Sequence, residues 1–221
     1  MSLILMIDTA QETAFVSISK DGAPIGCIQN AIQKEHAGFL HVAIQELLKS
    51  CELELKDIDA ISVTKGPGSY TGIRVGMASA IGLSYALNKP IIHICSLKLL
   101  AHAAINKIID PARVLFCPMI DARRMEVFTG LFDVTLEPKL DPAAMIVDES
   151  FMHEFLKNKS IFFIGSGKDK FEKVNKNENA QFLEVDNLHF AMAALSYFYY
   201  KSNLFSSIES FEPAYLKAFQ G

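Results

Sequence analysis

The stretch Lys65-Gly66-Pro67-Gly68-Ser69-Tyr70-Thr71-Gly72-Ile73-Arg74 joins a short β-branched run to a helix that is rich in small residues. Its glycines let the backbone approach a neighbour closely. That neighbour is either a phosphate at the helix N-terminus or another protein element packed on the small residues. Ser69 or Thr71 is the expected N-cap of the helix. The nature of the neighbour decides between a nucleotide-binding function and a protein-binding one.

Two familiar phosphate-binding loops do not match this spacing. Five residues after Gly66 and Gly68 the chain has Thr71 and Ile73, so the glycine-lysine pair of a Walker A loop is missing. The glycines run G-x-G-x-x-x-G, whereas a dinucleotide-binding turn needs G-x-G-x-x-G. What remains is a strand, a Gly/Pro turn and a helix, and a plain structural turn is the alternative to a binding loop.

The composition is that of a globular protein with a sizeable core. The 221 residues carry a net charge of −4, and 50% of them are hydrophobic, so no basic surface typical of nucleic-acid binding is indicated. The cysteines form no C-x-x-C pair and are expected to be free thiols in a reducing compartment. No apolar run reaches the ~18 residues that span a bilayer, and the N-terminal run lacks the basic region of a signal peptide. We therefore expect a cytoplasmic protein with no membrane contact.

One order of strands and helices occurs twice along the chain. The first copy has predicted strands at 3–8, 13–20, 24–29, 58–64 and 91–95, and predicted helices at 36–49, 71–87 and 96–106. The second has strands near 113–120, 125–133, 144–147, 161–164 and 181–185, and helices near 149–158, 168–174 and 188–202. Each copy reads βββαβαβα, which predicts an α/β fold with sheets covered by helices. We place the domain boundaries at 1–108 and 109–221.

This layout is similar to that of the actin, Hsp70 and sugar-kinase (ASKHA) superfamily, in which two ribonuclease-H-like domains bind ATP between them. Several more specific segments occur along the chain: 4–9, Glu35-His36 with Leu47-Leu48, 65–82, 88–92, Ser96-Leu97, 120–128 and the tail 212–216. These segments resemble the bacterial TsaB (YeaZ) family of tRNA threonylcarbamoyladenosine biosynthesis proteins. Taken singly they are weak, but their order and spacing match the family nearly end to end.

The resemblance implies a partner protein without a catalytic centre. Family members are paralogues of the transferase TsaD, which modifies the adenosine next to the anticodon, and they form a heterodimer with TsaD that the ATPase TsaE joins. A homodimer is expected when the protein is alone, and tRNA is expected to be contacted only indirectly. The metal-ligand positions of TsaD-like proteins fall on Ser96 and Leu100, which cannot replace imidazoles, so no metal is expected. ATP or ADP binding is expected to be weak at most, and only at an interface within the complex.

Three groups of residues form the candidate site. The helices before and after the glycine loop are predicted to present an apolar face to a partner, with internal packing as the alternative: His36, Leu40, Ile44, Ile73, Gly76, Met77 and Ala80. The family loop comprises Gly66, Pro67, Gly68, Ser69, Tyr70, Thr71, Gly72 and Arg74. A vestigial nucleotide cleft would comprise Asp8, Asp121, Arg123, Gly165 and Gly167.

Two other activities are weighed against the partner role. An ATP-dependent phosphotransferase would use Asp8 and Asp121 around magnesium, but the hairpins after both residues lack glycine, which discourages phosphate from approaching the backbone. A glycoprotease-like peptidase is the least favoured activity, because no Ser/His/Asp or Cys/His arrangement and no H-E-x-x-H motif is apparent.

Overall fold

The computed structural model describes residues 1–32 and 35–207, and the side chain of His36 is not described. The tail segment 212–216 therefore lies outside the described residues. The chain forms two compact units, one made of Met1–Ser96 with the segment that begins at His189, and one made of Leu97–Leu188. Each unit contains one mixed sheet of five strands, so the predicted tandem α/β architecture is confirmed.

The first unit contains one sheet and the helices that cover it. Its elements are β1 (Leu3–Asp8), β2 (Ala14–Lys20), β3 (Ala23–Asn30), α1 (His36–Ser50), β4 (Ala60–Thr64), α2 (Tyr70–Leu87), β5 (Ile91–Ile94) and the late helix α6 (Leu188–Lys201). The strand order is β3-β2-β1-β4-β5, and the central strand β1 pairs antiparallel with β2 and parallel with β4. Strand β1 is buried throughout, as its continuous apolar sequence predicts for a strand covered on both faces.

Helix α2 has the ends that its sequence predicts. Ser69 is the N-cap, and its Oγ accepts a hydrogen bond from the Gly72 amide at 3.3 Å. At the other end Asn88 takes the left-handed conformation that commonly ends a helix. The helix is thus fixed at both ends, and its first turn follows directly from the glycine loop.

The second unit repeats the sheet order of the first. Its elements are α3 (Ser96–Ile105), β6 (Leu115–Asp121), β7 (Glu126–Phe132), β8 (Pro138–Ile146), α4 (His153–Leu156), β9 (Ile161–Ile164), α5 (Lys168–Glu172) and β10 (Ala180–Leu183). The strand order is β10-β9-β6-β7-β8. The core of this unit is aromatic, and the rings of Phe163 and Phe171 have centroids 4.7 Å apart.

Three details differ from the sequence-based prediction. Strand β8 is longer than the predicted 144–147, because prolines at 138 and 142 are tolerated on an edge strand. The predicted helix at 149–158 is reduced to the single turn α4. The last helix of each chain half is grouped with the other half's sheet, so the compact units differ from the linear ranges 1–108 and 109–221. In the first unit, for example, Ser196 of α6 donates a hydrogen bond to Ser62 of β4 at 2.7 Å.

The four cysteines are free, as expected from their spacing. Among the described residues, no helix combines the length and the apolar character needed to cross a bilayer.

Candidate functional site

The glycine loop packs against the connection between β1 and β2 of its own unit. Side chains at two of its glycines, and at Gly76 in the following helix, would collide with this connection: a Cβ on Gly68 would meet the Ala10 carbonyl, one on Gly72 the Thr9 carbonyl, and one on Gly76 the Thr9 hydroxyl. Thr9 also donates a hydrogen bond from Oγ1 to the Gly72 carbonyl at 2.6 Å. The close neighbour of the loop is therefore the protein's own backbone, and this packing requires small residues.

Asp8, the first acidic position of the vestigial cleft, is sealed inside the first unit. Its side chain is fully buried, and its Oδ1 accepts hydrogen bonds from the Ala10 amide at 2.9 Å and from the Thr64 hydroxyl at 2.7 Å. Oδ2 has no hydrogen-bond partner among the described residues. Burial raises the pKa of this carboxyl to about 6, although hydrogen bonds from Thr64 and from the backbone oppose the rise. A carboxylate in this setting does not fit a magnesium ligand that must reach a nucleotide.

Asp121, the second acidic position, stabilises a hairpin turn in the second unit. Its Oδ1 accepts from the Arg123 amide at 2.7 Å, and its Oδ2 pairs with Lys170 Nζ at 2.9 Å. Arg123 and Arg124 both have positive φ, at 72° and 49°, which is the backbone of a tight hairpin turn. The Arg123 side chain is exposed. The oxygens of Asp121 are therefore occupied by its own turn and by Lys170.

The glycines at 165 and 167 also face the protein itself. Gly165 has φ of 95°, and a Cβ there would lie 2.6 Å from the Met119 carbonyl. The Gly167 amide donates to that same carbonyl at 2.9 Å, and a Cβ at Gly167 would lie 2.7 Å from Val127. The segment is a strand-to-helix turn packed on β6. The place of Gly165 and Gly167 in a vestigial nucleotide cleft stays a prediction.

The positions that correspond to metal ligands in TsaD-like proteins are both buried, with Ser96 at 0% and Leu100 at 3% exposure. Across residues 1–32 and 35–207, no three His, Cys, Asp or Glu side chains are grouped as a metal site would require. Neither the donor types nor the burial at positions 96 and 100 fits a metal ion there.

The apolar sides of α1 and α2 face inward. The residues predicted to contact a partner belong to the core of the first unit, with exposures between 0% and 4%: Leu40, Ile44, Ile73, Met77 and Ala80. Gly76 is buried against Thr9, and the side chain of His36 is not described. This corrects the predicted assignment, because the hydrophobic effect places these side chains on the unit's own sheet.

A different stripe faces solvent. Tyr70, Arg74, Ala78, Gly82 and Tyr85 follow one another along the exposed side of α2 at near-helical spacing. The Arg74 guanidinium carbon lies 3.9 Å from the centroid of the Tyr70 ring, and nothing lies within 4 Å of the position a Cβ would take on Gly82. Tyr85 is 79% exposed. We call these five residues the outer face of α2. Its side chains are large at both ends of the helix and small in the middle, at Ala78 and Gly82.

The outer face of α2 continues onto α1. The Ser79 hydroxyl and the exposed ring of His41 are 3.3 Å apart, within hydrogen-bonding distance. The i, i+4 spacing from Tyr70 to Gly82 was available in the sequence. It was missed because the apolar side of the helix gave the stronger pattern.

Two units with this strand order define the class of protein by its fold: two tandem ribonuclease-H-like α/β units of the ASKHA type. The glycines and acidic residues of the predicted site contact the protein's own chain. The chain belongs to the TsaD family, because the family model described as tRNA N6-adenosine threonylcarbamoyltransferase matches residues 16–210. The predicted resemblance to its TsaB (YeaZ) members is confirmed by the relatives that follow.

The tRNA threonylcarbamoyladenosine biosynthesis protein TsaB of Bacillus subtilis is 36% identical over 58% of this chain and 54% of its own length. The match therefore spans about half of that relative. TsaB of Haemophilus influenzae is 26% identical over 97% of this chain and 93% of its own length. A crystal structure from Pseudomonas aeruginosa, of a protein described as similar to peptidase YeaZ, superposes with a TM-score of 0.81, with 25% identity over 98% of this chain and all of that one.

Proposed function

We propose that this protein takes part in tRNA threonylcarbamoyladenosine biosynthesis as a non-catalytic activating partner of a TsaD-type transferase. The proposal rests on family membership together with one structural observation: the glycines at which a ligand could approach the backbone are packed against the protein's own chain. The glycines that could face a phosphate instead face the Thr9 and Ala10 backbone, and Asp8 is buried beneath them. A catalytic centre of the ASKHA type needs these positions to be open to a ligand.

The outer face of α2 is the surface proposed for the transferase. Ala78 and Gly82 let another helix approach closely, while a glycine inside a helix costs about 1 kcal/mol relative to alanine. No described residue lies within 4 Å of the position that a Cβ would take on Gly82, so none offsets that cost. Contact with a partner helix supplies such an offset. The same face would pair two copies of the chain when the transferase is absent, and TsaE would join the heterodimer at another surface.

The activity is tested by reconstitution. The protein is combined with its organism's TsaD, TsaE and adenylate-forming enzyme, together with tRNA, ATP, threonine and bicarbonate, and the modified nucleoside is measured by mass spectrometry. We expect product only when TsaD and this protein are both present. Product formed without TsaD would overturn the proposal, as would full TsaD activity without this protein.

The surface is tested by a matched pair of substitutions. Ala78→Arg adds a bulky charge to the outer face of α2, and Ala112→Arg adds the same side chain at an exposed position of the second unit. We expect Ala78→Arg to abolish co-elution with TsaD in size-exclusion chromatography and Ala112→Arg to leave it intact. Equal co-elution of both variants would refute the assigned surface but not the activity.

A further inference from the structure

The two equivalent edge strands of the molecule are protected very differently. Strands β3 and β8 are each the third strand of a unit and lie at the end of a sheet. β8 carries Pro138, Lys139, Asp141 and Pro142, which are the residue types that block pairing with another chain. Strand β3 has a single proline, Pro24, near its start, and its last six residues, Ile25-Gly26-Cys27-Ile28-Gln29-Asn30, have no proline and no charge. Its outer backbone edge has no strand partner among the described residues, so it can accept another strand.

A groove runs beside this unprotected edge. The β3–α1 groove has a volume of about 660 Å³ and lies between the end of β3 and the outer side of α1. Its floor is apolar, with Ile28, Phe39, Val42 and Ala43. Val42 is 54% exposed although it is a β-branched apolar residue, and no described residue lies within 4 Å of where a Cβ would stand on Gly38. The groove can therefore receive every second side chain of a strand added to β3.

The rim of the groove is acidic. Glu35 and Glu46 line it, and no lysine or arginine is among the described lining residues. The amide of Asn30 donates to Glu35 at 3.5 Å, but within the described part of the chain neither carboxylate has an ion-pair partner. A second copy pairing edge to edge through β3 would bring equal acidic rims together, which is unfavourable. A nucleic acid would be repelled in the same way.

We propose that the β3–α1 groove binds an extended segment of a partner protein that adds a strand to β3 and places lysine or arginine side chains against Glu35 and Glu46. Main-chain hydrogen bonds to β3 supply the affinity, and the apolar floor and acidic rim supply the selectivity, as in other strand-addition sites. The groove lies on the β3 side of α1, whereas the outer face of α2 lies on the other side. The proposal therefore stands independently of the transferase surface.

Three fluorescein-labelled peptides test the proposal against the full chain. The first is acetyl-Lys-Thr-Val-Thr-Lys-Thr-amide, in which the two lysines and the valine share one face of an extended strand, the second has glutamate for lysine, and the third is the first with every backbone amide N-methylated. We expect saturable binding of the first peptide alone in fluorescence anisotropy. Equal binding of the glutamate peptide would overturn the acidic-rim argument. Equal binding of the N-methylated peptide would overturn strand addition, because its backbone cannot donate hydrogen bonds to β3. No binding of the first peptide would overturn the whole proposal.

Variants locate the binding surface. Val42→Lys puts a positive charge on the groove floor and is expected to weaken the first peptide about tenfold. Glu46→Gln is expected to weaken it about threefold, as for one exposed ion pair. The matched control is Ile146→Lys, at an exposed apolar position of the edge strand β8, which should leave affinity unchanged. Hydrogen exchange should show new amide protection at 25–30 and none in β8. Unchanged affinity of Val42→Lys, or protection confined to β8, would overturn the assignment.

Discussion

Replacing Asp8 by asparagine should make the protein's stability less sensitive to pH. The buried carboxyl has a pKa of about 6, against an ordinary aspartate value of 3.8. The folded state therefore binds a proton more tightly than the unfolded state. The stability gained in this way is fully present below pH 3.8 and is lost as the pH rises through about 6. The shift corresponds to about 3 kcal/mol, at about 1.36 kcal/mol for each pKa unit.

The measurable quantity is the difference in unfolding free energy between Asp8→Asn and the parent protein. Asparagine does not titrate, and its Oδ1 can still accept from the Ala10 amide and the Thr64 hydroxyl, the two donors to Asp8 Oδ1. We expect the variant-minus-parent difference to rise by about 2.5 kcal/mol from pH 4 to pH 8. At any single pH, the variant-minus-parent difference in unfolding free energy also includes the cost of burying the asparagine amide group. This cost does not depend on pH, so it cancels when the differences at pH 4 and pH 8 are compared.

Urea unfolding followed by circular dichroism at several pH values measures this difference, since the chain has no tryptophan for fluorescence. The other titrating groups are common to both proteins and cancel. Thr64→Val provides a second variant: losing the hydroxyl that lowers the Asp8 pKa should move the transition of the parent to higher pH. A difference that stays flat from pH 4 to pH 8 would refute the conclusion that Asp8 is buried with a raised pKa.

Three further predictions concern packing, backbone strain and a buried histidine. Gly72→Ala should destabilise the protein by about 1–3 kcal/mol, because the added methyl group would overpack against Thr9. Gly82→Ala in the same helix should stabilise the protein by up to about 1 kcal/mol, because alanine has the higher helix propensity. Equal changes in unfolding free energy, measured by urea unfolding, would contradict the packing of the loop on Thr9. Arg124→Gly should raise stability by about 1 kcal/mol, because φ is positive there; lower stability would refute this. Burial lowers the pKa of His189 from its ordinary value of 6.5, so the contribution of this histidine to folding stability is present above pH 6.5 and is lost as the pH falls below it. His189→Gln should therefore reduce the loss of unfolding free energy between about pH 7 and pH 5. An unchanged loss in the variant would exclude His189 as a cause of the acid destabilisation.

Local patterns in the sequence were sufficient for most of the secondary structure. The alternation of strands and helices, the Ser69 cap and the buried run of β1 depend on neighbouring residues, and their predictions are confirmed. Strand β8 was underestimated because its prolines and charges read as a loop, although they mark an edge strand. The duplicated order was also readable, since a repeated fold requires only a repeated pattern.

The candidate site shows where local patterns stop being informative. The glycine stretch 65–74 indicated close approach to a neighbour, but spacing alone could not say that the neighbour is the Thr9–Ala10 backbone, which lies far earlier in the chain. In the same way, the apolar stripe of α2 could face a partner or its own sheet. Burial assigns it to the sheet and leaves Tyr70, Arg74, Ala78, Gly82 and Tyr85 outside.

The sequence by itself determined the fold class, the family and the position of the glycine loop, because each depends on residue types at short spacing. Only the tertiary structure decided which side chains are buried and which are exposed. Asp8 is buried, the loop is packed, the outer face of α2 is solvent-exposed, and within the described residues the edge of β3 has no strand partner. These properties depend on contacts between segments far apart in the chain, and the hydrophobic periodicity of one segment does not specify which other segment covers it.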